Sequence, residues 1–158
     1  MKRILLAVCF VATLAFAGFG QVSPQGVSLV PVAHADATAK VSVAVIKASK
    51  TGTTDDKSKK YSSVISQVGG YQGFTYVTDL GFDASLGQTV KKKVAGRELQ
   101  VTVKSMSSDK VATAVTVVDP GGKKHAVSSS IKPGASVVVA ARAADGETAH
   151  LFIVTVRY

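Results

Sequence analysis

Leu99-Gln100-Val101-Thr102-Val103-Lys104, the turn Ser107-Ser108-Asp109-Lys110, the run Val111 to Asp119 and the tripeptide Pro120-Gly121-Gly122 decide the fold class. In the first run every second residue is apolar, and successive side chains of a strand point to opposite faces. Leu99, Val101 and Val103 thus form an inner face, with Glu98, Gln100, Thr102 and Lys104 outward. Val111, Val115 and Val117 repeat the pattern. Proline presets φ and glycine accepts positive φ, so Pro120-Gly121-Gly122 predicts a hairpin.

The same signals extend both ways. Downstream, His125 to Ile131, Ser136 to Ala143 and His150 to Arg157 read as strands, separated by Pro133-Gly134 and Asp145-Gly146. Upstream, Gln88 to Val94 carries Lys91-Lys92-Lys93 and turns at Ala95-Gly96. Phe74, Tyr76, Thr78 and Leu80 alternate in another run. From Lys40 to Ser49, Val41, Val43 and Val45 point one way and Ser42, Ala44 and Ile46 the other. Lys50 to Lys60 is polar and reads as an exposed loop. There the period changes. Tyr61, Val64, Ile65 and Val68 fall at i, i+3, i+4 and i+7, predicting one short helix over Asp56 to Val68. Asp55 or Asp56 can cap its positive start, and Gly69-Gly70 can supply a left-handed exit. Eight strands at short spacing and one helix predict a mainly β protein, an antiparallel β-sandwich, with a β-barrel as the alternative. Helices do not alternate with strands, which argues against a parallel α/β sheet. Residues 36–158 show no repeat and no dividing linker and read as a single domain.

Residues 1–35 read differently. Lys2-Arg3, an apolar run from Ile4 to Phe19 and the small-x-small exit Ala33-His34-Ala35 are the parts of a secretory signal peptide. Cleavage is expected before Asp36, with a cut after Ala17 or an uncleaved anchor as alternatives. Ile4 to Gly20 sits at the short limit of the about 17–25 residues a spanning helix needs. Membrane contact is expected only through this segment, and only if it is kept. The single cysteine, Cys9, follows Val8, where a lipoprotein signal wants Gly or Ala. Residues 36–158 therefore have no disulfide and no thiolate metal site. The expected location is periplasmic or secreted.

The formal net charge is +9, and only Lys2 and Arg3 of the 19 basic residues precede residue 36. Lysines cluster at Lys57, Lys59, Lys60, at Lys91-Lys92-Lys93 and at Lys123-Lys124. In an exported protein such charge attracts anionic envelope polymers or an envelope protein, without defining a site. Nucleic acid is not an expected partner. The compartment is wrong, and the lysines are not interleaved with stacking aromatics.

No G-x-S-x-G elbow, H-E-x-x-H pair or phosphate loop is present. His125 and His150 have no further ligand at metal-binding spacing and read as surface or strand-end residues. Neither a metal nor a cofactor is expected. Asp79, Asp83, Glu98 and Asp119 are the carboxylates from which a pair for sugar cleavage could be drawn. Because a catalytic triad is set by space rather than sequence, a hydrolase stays open as an alternative, as does a peptidase inhibitor acting through inter-strand loops. Tyr71, Phe74, Tyr76 and Phe82 form the densest aromatic stretch. Phe74 and Tyr76 share a strand face, so they read first as core. The sharper reading joins Tyr71, Phe74 and Tyr76 with Lys91, Lys93 and Arg97 as a surface that grips a glycan or a peptide strand.

Lys40 to Ser49, the helix, Phe82-x-x-Ser85-Leu86-Gly87-Gln88 and Ala95-Gly96-Arg97-Glu98-Leu99-Gln100-Val101 together resemble exported single-domain β proteins of Gram-negative bacteria that have no assigned activity. The stretch from Ile131-Lys132-Pro133-Gly134 to Leu151-Phe152-Ile153-Val154-Thr155 is similar to the closing hairpin of secretin pore proteins. It carries Ala140-Ala141 where those proteins usually have Gly-Gly. The signal-like segment, the strand pattern, the basic charge and the lack of catalytic motifs point to a non-enzymatic binding or structural component of the cell envelope, with an accessory to a secretion system as an alternative.

Overall fold

A computed structural model describes residues 37–158. The expected signal segment and its cleavage alternatives lie outside the described residues. The alternating runs become eight strands in two antiparallel sheets. In the first, β1 (Thr38–Ser49), β2 (Gly73–Ser85), β7 (Ser136–Arg142) and β8 (Thr148–Arg157) lie in the order β2-β1-β8-β7. In the second, β3 (Thr89–Val94), β4 (Arg97–Ser107), β5 (Lys110–Val118) and β6 (Lys124–Ile131) lie in sequence order. Both sheets are open at their edges, so the architecture is a sandwich and not a barrel.

Apolar rows from both sheets meet in the middle. Val41, Val43 and Val45 of β1 and Phe152, Val154 and Val156 of β8 come from one side. Leu99, Val101 and Val103 of β4 and Val111, Val115 and Val117 of β5 come from the other. Each such side chain contributes about 1.5–3 kcal/mol by leaving water. In β4 and β5 buried residues alternate with half-buried ones, because the outer face of their sheet meets water. The central strands of the first sheet behave differently: Val43 to Ile46 and Leu151 to Val154 are buried without interruption. Their outer face carries a second core of Ala44, Ile46, Ala48, Phe74, Leu151 and Ile153.

The helical segment covers that second core, as its apolar stripe predicts. Ile65 is buried there, with Tyr61, Val64 and Val68 packed around it. The single helix expected over Asp56 to Val68 is instead two short turns, α1 (Asp56–Lys59) and α2 (Ser62–Ile65), interrupted at Lys60-Tyr61. Ser58, Ser62, Ser63 and Ser66 are indifferent helix formers, and a segment this short gains its helicity from packing rather than propensity. Asp55 is the cap. One of its carboxylate oxygens accepts the Ser58 N–H at 2.6 Å. The other accepts the Tyr76 N–H at 2.7 Å, so the cap also ties the segment to β2.

A bulge in β2 splits the aromatic run. Val45 pairs with Thr78 but Ile46 pairs with Tyr76, leaving Val77 over and 42% exposed. One extra residue exchanges the two faces of a strand. Phe74 and Tyr76 therefore lie on the outer face under the helical segment, whereas Leu80, Phe82 and Ala84 turn toward the central core. Gly73 starts this strand for a steric reason: a Cβ there would lie 2.8 Å from both the Ser49 hydroxyl and the Thr51 carbonyl. At the β3–β4 hairpin Ala95 and Gly96 have φ of 51° and 73°, the two positive values that a tight twisted turn requires.

Candidate functional site

The six residues expected to form one surface occupy three places. Lys91 and Lys93 lie on the outer face of the second sheet, opposite Gln100 and Glu98. Lys92 points the other way and holds its ammonium 5.9 Å from the Phe82 ring at the sandwich edge. All three lysines are exposed, β3 is an edge strand, and none of the three makes an ion pair among the described residues. An edge strand carrying free lysines resists pairing with other sheets.

Tyr71, Phe74 and Tyr76 belong to the outer side of the first sheet. Phe74 is 8% exposed and Tyr71 packs against the second core. Tyr76 is more open. The ammonium groups of Lys57 and Lys60 stand 5.6 and 5.4 Å from its ring centre, and its hydroxyl donates to Asp79. The cations beside these aromatics thus come from the helical segment. Lys91 and Lys93 face away on the opposite sheet. The four carboxylates are likewise spread out. Asp79 and Asp83 flank the outer row of β2, while Glu98 and Asp119 belong to the second sheet.

Arg97 parts from its lysine neighbours and turns inward. Its Nε–H donates to Asp119 Oδ1 at 2.6 Å, and the two side chains are only 12% and 15% exposed. His125 Nε2 lies 2.8 Å from Asp119 Oδ2, and since a carboxylate only accepts, that nitrogen carries the hydrogen. Burial alone would raise the Asp119 pKa, but hydrogen bonds from His125 and Arg97, together with their charges, hold it below the ordinary 3.8. His125 is therefore not the exposed hairpin residue that its neighbour Lys124 suggests.

Five inward rows end in polar residues at the same end of the sandwich. Val45 leads to Lys47, Leu99 to Arg97, Val117 to Asp119, Val127 to His125 and Phe152 to His150. His150 is half-buried, and its Nδ1 has no hydrogen-bond partner. This polar end cap escaped the sequence reading. The signal was present: each residue continues an apolar alternation by one more step of two. Just outside it, Lys93, Gly96, Arg97, Glu98, Asp119 and Gly122 line a shallow depression of about 450 Å³ between two hairpin turns. Among the described residues no cluster of three or more His, Cys, Asp or Glu could hold a metal ion.

Comparison with known protein families, curated proteins and solved structures finds no match for this chain. Among the described residues no helix is long and apolar enough to cross a membrane.

Proposed function

We propose that the protein is a non-enzymatic binding module of the bacterial cell envelope, exported to the periplasm or beyond and drawn to anionic envelope polymers. The observation that carries this reading is β3: three consecutive exposed lysines on an edge strand, none held in an ion pair among the described residues. The excess of basic residues and the signal-like segment at residues 1–35 support it. A role beside a secretion pore fits within the same reading, supported by the resemblance of Ile131 to Thr155 to the secretin hairpin. Attraction between exposed charges acts over about 8 Å at physiological salt. Binding through β3 is therefore weak and salt-sensitive. Lys91, Lys92 and Lys93 changed together to Gln, with both proteins titrated against lipopolysaccharide at low and high salt, test this. The unaltered protein is expected to bind more tightly at low salt and the triple variant to lose most of that gain. Equal affinities for the two proteins would overturn the assignment.

A further inference from the structure

We propose that the polar end cap, with His150 set against Lys47 and Arg97, is an acid-sensitive joint between the two sheets. It does not depend on the lysines of β3 or on their partner. The geometry comes first. His150 on β8 lies directly across from Lys47 on β1 and from Ala141 on β7. Directly opposed strand residues have their Cβ atoms about 4.5–5.5 Å apart, and like charges placed there repel. From the facing sheet come Arg97 on β4 and Asp119 at the end of β5, both near enough to act on the charge of His150, with His125 on β6 held to Asp119. One anion therefore stands among two fixed cations and two imidazoles.

That anion is already engaged. Both Asp119 oxygens are taken, by Arg97 and by His125. His125 donates its Nε2–H to Asp119. His150 differs, because its buried Nδ1 has no acceptor to receive a proton from it. A charged His150 adds a third cation beside Lys47 and Arg97, in a site that solvates it poorly. Burial, then Arg97, then Lys47 hold its pKa below the ordinary 6.5, and Asp119 only partly offsets them. In the unfolded chain these neighbours are gone, and the imidazole takes up its proton near 6.5. The unfolded state thus binds more protons between those two values. Stability is full above 6.5, declines as pH falls through that window and levels off below the lowered value. Mild acid loosens the end where β1 and β8 face β4 and β5, while Asp119 remains ionised.

The test uses the unaltered protein, Lys47→Gln and His150→Gln. Ring resonances followed by NMR are expected to titrate His150 below 6.5. Lys47→Gln removes one repelling charge at an exposed position and should raise that midpoint by about 0.3 units or more. The melting temperature of the unaltered protein should fall between pH 7.5 and 5.5, and that of His150→Gln should fall distinctly less. A His150 midpoint at or above 6.5, or the same acid loss in His150→Gln as in the unaltered protein, overturns the proposal. If His150→Gln does not fold, the Lys47→Gln shift decides alone, and an unmoved midpoint then counts against the joint.

Discussion

At the scale of single residues, Asp119 has both carboxylate oxygens engaged, by Arg97 and by His125. It neutralises Arg97, orients His125 and sits where water reaches poorly. Asp119→Asn keeps the shape but leaves Arg97 without a counter-charge, an expected loss of about 2–3 kcal/mol in chemical denaturation. Glu147→Gln breaks the pair of Lys50 and Glu147, whose side chains are 50% and 60% exposed. Surface pairs contribute about 0–1 kcal/mol, so this variant should unfold close to the unaltered protein. Equal losses for the two variants would show that the inward pair is no more than a surface bridge. The pH dependence has a definite sign. Asp119 is held below 3.8, so its contribution is present above the ordinary carboxylate range and is lost only as pH falls through that lowered value. Stability lost near pH 6 belongs to another group. At this scale, the inward direction of Arg97 follows from Leu99 two residues on. Its partner does not, because Asp119 is brought to it by strand pairing.

At the scale of elements, the helical segment is a lid on β1 and β8, and its register matters more than its helicity. Ile65 is 6% exposed, whereas Val64 is half-buried. Ile65→Asp should cost about 3 kcal/mol or more and Val64→Asp about 1–2 kcal/mol, because an unpaired carboxylate is forced toward an apolar face. Thermal melting of the two variants ranks them, and the reverse order would mean that the segment is rotated. The i, i+3, i+4, i+7 stripe made this lid legible from residue types alone. The break at Lys60-Tyr61 was not legible, since propensity sums over a window and does not locate an interruption. Nor was the β2 bulge. Val77 is an ordinary strand residue by composition, and its displacement appears only in its register against β1.

At the scale of the whole molecule, the described sandwich has a lysine-rich edge at β3, a lidded outer face on its first sheet and a polar end. Intact-mass measurement on periplasmic or secreted protein, made from the full chain in a Gram-negative host, should give a species that starts at or near Asp36. A full-length mass in the membrane fraction would contradict export by a cleaved signal. The sequence by itself determined the number of strands, the hairpin turns, the lid stripe and the inward rows of the strands other than β2. These are properties of neighbouring residues: period, φ preference and the length of an apolar run. Only the tertiary structure decided the strand order β2-β1-β8-β7, and with it which groups share a surface. Tyr76 and Lys93 are close along the chain, yet they stand on opposite outer faces because β2 and β3 enter different sheets. Lys47 and His150 lie far apart along the chain, yet they are cross-strand neighbours. Period-two alternation tells each strand which side to bury. It carries no information about which distant strand will provide the hydrogen-bonding edge, because backbone N–H and C=O groups are the same in every residue pair that meets.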